Sequence, residues 1–181
     1  MHMKAVRFSP LTTAAAAAAI LLVSAFGVAG DEHAGHKKPA GPPSPVWESM
    51  KTLQGEWEGA YQGKVAARAT YRLVSNGTAL METLSSPDDS DMVTMYHRDG
   101  GRIAMTHYCS EDNQPRMRAD ATDPKRIAFG YVDATNLASP DASRMTGLVV
   151  TLQDRDHFTQ EWTYTQGGKS TTSTFAFTRK K

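Results

Sequence analysis

Apolar and polar residues alternate along most of the chain from residue 56 to its end. This period of two is typical of β-strands, in which successive side chains point to opposite faces of a sheet. Turn-forming pairs such as Gln62-Gly63, Asn76-Gly77 and Gly167-Gly168 interrupt the alternation at intervals of about ten residues. We therefore predict about ten strands, at residues 56–61, 65–74, 79–85, 92–98, 102–109, 116–121, 126–132, 144–153, 157–165 and 170–179.

The clearest local element is a hairpin around Asp99-Gly100-Gly101. Asp-Gly between two alternating segments is the strongest short-range hairpin signal. A turn loop at Asp99-Gly100 or at Gly100-Gly101 gives the same inner face, whereas a three-residue loop inverts it. In the two favoured registers the inner face carries Met92, Thr94, Tyr96, Ile103, Met105, His107 and Cys109, and the opposite face carries Val93, Met95, His97, Ala104, Thr106 and Tyr108.

A short helix precedes the strands. Ser44 is a suitable N-cap and Pro45 suits the first helical position. Trp47, Met50 and Leu53 then recur at helical spacing. A sheet of about ten antiparallel strands must curl or split, and closure removes its exposed edges. We predict an all-β fold over residues 46–181, an up-and-down antiparallel barrel with a short N-terminal helix.

The first thirty residues have the pattern of a signal peptide. Lys4 and Arg7 form a basic start, residues 11–29 are apolar, and Val28-Ala29-Gly30 supplies small residues for cleavage. Residues 31–45 are polar and rich in proline, which predicts a disordered linker. We expect a periplasmic or secreted protein with no membrane association after cleavage, or, if the segment is retained, an N-terminal anchor.

Cleavage after Gly30 would leave Asp31-Glu32-His33 at the N-terminus. A free amine, two backbone amides and an imidazole at the third position form a square-planar nitrogen site suited to Cu(II) or Ni(II). His36 can add a further nitrogen. The alternative is an ordinary polar tail without a metal.

The charge of the chain argues against a nucleic-acid-binding protein, and its cysteine content excludes a fold stabilised by internal disulfides. Without Lys4 and Arg7, the exported part has 18 basic and 19 acidic residues, so it lacks the basic surface of a nucleic-acid-binding protein. Cys109 is the single cysteine, so the fold has no internal disulfide although export favours oxidation.

Gly55 and Trp57 at the start of the first strand, with Arg179 at the end of the last, resemble the calycin superfamily of lipocalin-like barrels. The resemblance implies that the tryptophan closes the barrel floor and packs on the basic side chain. Three segments also resemble exported bacterial lipocalin-like domains with no assigned function: Tyr96-His97, residues 106–109 and residues 113–117.

A more distant resemblance is to nitrobindin, a ten-stranded barrel that opens with Gly-x-Trp and binds haem through a late histidine. His157 is the late histidine of this chain, but it alternates with Phe158, Gln160 and Trp162 and is expected to point outward. His107 and Tyr108 are further haem-ligand candidates, because both residue types serve as axial ligands.

The favoured function is binding of a small apolar or amphipathic molecule inside the barrel, since barrels of this size can enclose one ligand. Arg116 with His107 and Tyr108 is proposed to line the cavity mouth. The alternative is a barrel whose side chains fill its interior. The predicted ligand-binding residues are Tyr96, Met105, His107, Tyr108, Arg116, Tyr131 and Trp162.

An enzyme is the other class left open, as a thiol hydrolase. His107 and Cys109 lie two residues apart on one strand face, and a neighbouring imidazolium lowers the pKa of a thiol. Asn113 or Gln114 is the candidate to orient the imidazole. The alternative is a buried structural thiol. The oligomeric state and the identity of the ligand are not predicted.

Overall fold

The computed structural model describes residues 44–86, 89–120 and 122–181. These residues form a closed antiparallel barrel in which strands pair in chain order and the last strand pairs with the first. A short helix, α1, spans Pro45–Lys51. The strands of the described chain are β1 Gly55–Tyr61, β2 Lys64–Val74, β3 Ala79–Ser86, β4 Asp89–Asp99, β5 Arg102–Tyr108, β6 Gln114–Asp120, β7 Arg126–Thr135, β8 Arg144–Leu152, β9 His157–Gln166 and β10 Lys169–Arg179.

The predicted fold class is confirmed, with strand ends that differ by a few residues from those expected. Burial alternates along most of the strands, so the period of two in the sequence corresponds to the inner and outer faces of the barrel. The predicted signal peptide (1–30), nearly all of the linker (31–45), and the candidate metal ligands His33 and His36 lie outside the described residues.

The hairpin of β4 and β5 has one of the two favoured registers. Asp99 pairs with Arg102, which leaves Gly100 and Gly101 as a two-residue loop. Thr94 pairs with His107 and Tyr96 with Met105, and these four side chains are buried. The predicted inner face is therefore confirmed for these four residues, whereas Cys109 lies after the end of β5 and is only partly buried.

The helix closes one end of the barrel. The side chain of Ser44 accepts a hydrogen bond from the backbone N–H of Trp47, as an N-cap does. Val46, Trp47, Met50 and, after the helix, Leu53 are buried. Trp57 of β1 donates its indole N–H to the carbonyl of Leu53 at 2.7 Å, so the turn that follows the helix is bonded to the barrel floor.

Arg179 holds this closed end together. Its guanidinium carbon lies 4.0 Å from the centroid of the Trp57 ring, within the range of a cation–π interaction. Its nitrogens donate to the carbonyls of Gln54 at 2.7 Å, Thr52 at 2.8 Å and Arg155 at 3.0 and 3.1 Å. The structural role implied by the calycin resemblance therefore matches the geometry.

Aromatic rings fill the space above this floor. Trp57 meets Phe158 edge-on with centroids 4.7 Å apart, and Phe158 stacks on Phe177 at 4.7 Å. A Cβ at Gly59 would lie 2.6 Å from the Phe177 ring, so a residue without a side chain is needed there. The floor end of the barrel is therefore solidly packed.

No helix among the described residues has the length and apolar character needed to cross a lipid bilayer.

Replacing Arg179 with Met is expected to lower the free energy of unfolding by about 2 kcal/mol or more, because three backbone carbonyls lose a charged donor and Trp57 loses its cation. Arg179→Lys should lose less, since it keeps the charge without the planar fork. Urea unfolding followed by circular dichroism measures both. Arg102→Met is the control: it removes an exposed ion pair with Asp120 and should change stability by only about 0.5 kcal/mol. Equal losses in Arg179→Met and the control would contradict this role.

Candidate functional site

A polar layer crosses the barrel above the aromatic floor. Its centre is Glu82 of β3, whose side chain is fully buried. The Tyr96 hydroxyl donates to Glu82 Oε2 at 2.6 Å, and Gln160 Nε2 donates to Glu82 Oε1 at 2.7 Å. Gln160 Nε2 also lies 2.8 Å from the hydroxyl of Tyr71, and Gln160 Oε1 accepts the Trp162 indole N–H at 3.0 Å. Side chains from β2, β3, β4 and β9 thus meet in one hydrogen-bonded cluster.

Burial dominates the titration of this layer. It raises the pKa of the Glu82 carboxyl, while hydrogen bonds from Tyr96, Gln160 and Tyr71 act in the opposite direction. Burial, and then the nearby Glu82 carboxylate, raise the pKa of Tyr71 and of Tyr96 well above the ordinary value. Both phenols are therefore protonated donors or acceptors at neutral pH.

A cavity of about 220 Å³ lies among inward-facing side chains beyond the polar layer and is open to solvent. Its wall combines aliphatic, aromatic and thioether side chains with one imidazole and two hydroxyl-bearing residues, Tyr164 and Ser173. Methionine suits such a wall, because its flexible, polarizable side chain adapts to different shapes. The lining residues are Ala67, Leu84, Met92, His107, Met145, Trp162, Tyr164, Ser173 and Phe175.

His107 is the polar group at which the layer and the cavity meet. Its side chain is 1% exposed, and its ring centroid lies 4.7 Å from that of Trp162. Its Nδ1 is 2.9 Å from the hydroxyl of Thr94, directly across the β4–β5 ladder. Its Nε2 has no hydrogen-bond partner, whereas buried polar groups normally have one. The ring that lines the cavity therefore carries an unused polar atom.

Burial lowers the pKa of His107 from 6.5 to about 4. Removing a cation from water is costly in an apolar interior, so the charged form is disfavoured. At neutral pH His107 is an uncharged imidazole, with one nitrogen that donates and one that accepts.

Most of the predicted ligand-binding residues lie inside the barrel. Tyr96, Met105, His107 and Trp162 are buried, and Tyr131 is half-buried on the same strand face as Phe129. His107 and Trp162 line the cavity. Tyr96 lies in the polar layer, and the Tyr131 ring is covered by the guanidinium of Arg144 at 5.3 Å.

Tyr108 and Arg116 are not brought to the cavity. Tyr108 is 51% exposed on the outer face of β5. Arg116 is on the outer face of β6, where its guanidinium makes two 2.5 Å hydrogen bonds to Asp133. The alternation of side chains along a strand predicts both outward positions, because Tyr108 follows the inward His107 and Arg116 precedes the inward Met117.

Arg116 instead belongs to a surface groove of about 420 Å³ across the outer face of β4–β7. The groove is larger than the interior cavity, but its charged side chains pair with each other. Arg116 bonds Asp133, and Arg118 lies 3.2 Å from Asp99. The interior cavity, with its unpartnered imidazole nitrogen, is the better candidate site.

The components of a thiol hydrolase are not arranged as such. His107 Nδ1 is directed to Thr94. The Asn113 amide donates to the carbonyls of Glu111 at 3.1 Å and Ser143 at 2.9 Å, so it connects two loops and does not orient His107. Cys109 is partly buried just after the end of β5. Within residues 44–86, 89–120 and 122–181, no three His, Cys, Asp or Glu side chains group as metal ligands.

None of the three candidates for haem ligation is supported by its surroundings, and Tyr108 is exposed on the outer face of β5. His157 is exposed and pairs with Asp154 at 2.9 Å, so it points outward as expected. Pockets for drug-sized ligands hold about 300–1,000 Å³. Haem is larger than such ligands, so a 220 Å³ cavity at His107 does not fit it.

The prediction missed Glu82, Gln160 and the role of Thr94. The sequence signal for Glu82 and Gln160 is a polar residue on the inward face of a strand, with apolar residues two positions before and two positions after it. Glu82 lies between Leu80 and Leu84, and Gln160 lies between Phe158 and Trp162.

The lowered pKa of His107 predicts a loss of stability in mild acid. The unfolded imidazole binds its proton near pH 6.5, and the folded one only near pH 4. Between these values the unfolded state holds more protons, so stability falls as the pH falls. Protonation of this group lowers the free energy of unfolding by about 3 kcal/mol in full. Urea unfolding of the wild-type protein and of His107→Gln, from pH 7.5 to 4, should show a smaller pH slope in the variant.

The pH slope of the wild-type protein must be compared with that of the variant, because Glu82 changes stability with pH in the opposite direction to His107. Its raised pKa means that the folded state holds the proton more tightly, so its contribution to stability decreases as the pH rises. Equal slopes for His107→Gln and the wild-type protein would contradict the assignment.

Comparison with known proteins supports the fold. No protein-family model matches the chain, and no curated protein matches it. The barrel is similar to the crystal structure of Rv2717c from M. tuberculosis, with a TM-score of 0.53 and 12% sequence identity over 76% of this chain and 98% of that one. At this identity the likeness concerns the fold alone. The described residues thus form a closed ten-stranded antiparallel barrel, a fold that this chain shares with that structure.

Proposed function

We propose that this protein is an exported binding protein that holds a small, mostly apolar molecule in its barrel cavity. The observation that carries the proposal is an interior cavity of about 220 Å³ whose lining includes a buried histidine with an unpartnered nitrogen. An apolar wall with a few placed polar groups is the usual composition of a ligand site.

The size of the cavity limits the ligand. In liquid water each molecule takes about 30 Å³, and an engineered apolar cavity of about 150 Å³ in another protein binds benzene. A cavity of 220 Å³ therefore suits a single substituted ring or a short chain of about ten non-hydrogen atoms.

The packing around the cavity supports binding over a simply filled barrel. Below the cavity, aromatic rings and the polar layer occupy the interior. Around the cavity, Met92, Met145, Tyr164 and Phe175 are only partly buried. The side chains that could adapt to a ligand are therefore concentrated on its wall.

Benzyl alcohol at about ten times its Kd is expected to raise the melting temperature of the mature protein. Mass action gives about 1.4 kcal/mol, or roughly 4 °C for a domain of this size. Differential scanning fluorimetry measures the shift, and isothermal titration calorimetry measures the Kd.

Ala67→Leu should abolish this shift by filling the cavity, because Ala67 is 4% exposed and lines it. Ala176→Leu, the same change on the exposed face of β10, is the matched control and should bind as the wild-type protein does. Binding of equal strength by Ala67→Leu and Ala176→Leu would place the ligand elsewhere.

A further inference from the structure

One carboxylate lies at the mouth of the cavity. Tyr164 and Met145, which pair across the β8–β9 ladder, both line the cavity. The hydroxyl of Tyr164 donates to Oε1 of Glu111 at 3.3 Å. Glu111 is an exposed residue of the loop between β5 and β6. Its carboxylate is therefore one hydrogen bond away from the cavity wall, on the side that is open to solvent.

Two loops hold this carboxylate in place. The hydroxyl of Ser143, in the loop between β7 and β8, donates to Oε2 of Glu111. The buried side chain of Asn113 donates to the backbone carbonyls of Glu111 at 3.1 Å and Ser143 at 2.9 Å. The side chain of Asn136 donates to the carbonyl of Asp112, which joins the same two loops at a further point. The carboxylate is thus positioned before a ligand arrives.

The negative charge of Glu111 is not used in an ion pair. Among the described residues, the ion pairs are formed by other acidic side chains. Arg144 follows Ser143 in the chain, but its Nη1 donates to two backbone carbonyls of its own loop, at 3.0 and 2.7 Å. Each oxygen of the Glu111 carboxylate accepts one hydroxyl and has a second lone pair. Glu111 therefore keeps both its charge and the capacity to accept further hydrogen bonds.

The wall beside this carboxylate is partly aromatic. Trp162, Tyr164 and Phe175 contribute three rings to the lining of the cavity. Aromatic rings attract organic cations through their quadrupole, and the attraction is larger where water is excluded. A partly apolar wall with aromatic rings and a carboxylate at its mouth is therefore suited to a molecule with an apolar body and a cationic end.

We propose that Glu111 is a head-group subsite of this cavity, and that the ligand carries a cationic nitrogen at one end of its apolar body. The ligand class is thus a ring-sized amine in its ammonium form. An anion of the same size is disfavoured, because it would bring two like charges together. This inference rests on the proposed function, since it concerns the same cavity.

The exposure of Glu111 sets the size of the expected effect. Ion pairs between exposed groups are weak, because water and dissolved salt screen them. Such pairs correspond to a change in affinity of about two- to fivefold. The contribution of Glu111 should therefore be modest, and it should be largest at low ionic strength.

Benzylammonium and benzyl alcohol test the role of charge, because they have the same number of non-hydrogen atoms and differ in charge. Isothermal titration calorimetry at pH 7 and low salt should show that Glu111→Gln weakens the binding of benzylammonium about threefold. The same variant should bind benzyl alcohol as the wild-type protein does. Added salt should weaken benzylammonium binding to the wild-type protein more than to Glu111→Gln.

Glu161→Gln is the matched control, since it removes the same charge by the same substitution. Glu161 lies between the inward Gln160 and Trp162, and therefore on the outer face of β9. This variant should bind both compounds as the wild-type protein does. An equal loss of benzylammonium affinity in Glu161→Gln and Glu111→Gln would assign the effect to the net charge of the protein and overturn the proposal.

Glu111→Lys reverses the charge at the mouth. It should weaken the binding of benzylammonium further than Glu111→Gln does, and it should bind benzoate more tightly than the wild-type protein does. Urea unfolding shows whether each variant is folded, and the exposure of Glu111 favours this. Benzoate affinity equal to that of the wild-type protein in folded Glu111→Lys would overturn the proposal.

The failure of this inference is distinguishable from the failure of the proposed function. If benzyl alcohol binds, and benzylammonium binds equally to Glu111→Gln and the wild-type protein, the cationic subsite is overturned and the proposed function stands. If neither compound binds, the proposed function is overturned, and the subsite with it. If benzylammonium still binds to Ala67→Leu while benzyl alcohol does not, the amine lies outside the cavity and the subsite is overturned.

Discussion

The interior of this barrel depends on one buried carboxyl group. Glu82 is 0% exposed, and an unpaired charge in that position would be strongly destabilising. Tyr96 and Gln160 supply donors from β4 and β9, on opposite sides of the barrel lumen from each other along the strand order. The requirement to satisfy Glu82 therefore constrains how strands that are distant in sequence face each other.

This requirement also determines what is available to a ligand. Tyr96 donates its hydroxyl proton to Glu82, and the side-chain amide of Gln160 donates to Glu82 and to Tyr71. Trp162 donates its indole N–H to Gln160. His107, one step further along the barrel, is bonded on one nitrogen only. The cavity therefore has an apolar wall with a defined polar contact.

Much of the fold follows from local rules, whereas the site depends on contacts between distant strands. Alternation and glycine turns were sufficient for the strands and for the inward direction of His107. The pairing of Gln160 with Glu82 joins residues 78 positions apart, which no local pattern reports. Because Met117 points inward, alternation places Arg116 on the outer face of β6. The grouping of Arg116 with His107 and Tyr108 instead predicted a position at the cavity mouth. In the structure the guanidinium of Arg116 bonds Asp133 on the outer face.

The contact of Arg179 with the floor has a consequence for the order of folding. Its bond to the carbonyl of Thr52 joins positions 127 residues apart, and β10 pairs with β1 only when almost the whole chain is present. Closing so large a loop is entropically costly, and topologies dominated by distant contacts fold slowly. Until β10 docks, β1 and β9 each keep an unpaired edge. A state in which β10 is undocked would be an open sheet, and the docking of β10 is the step that closes it into a barrel.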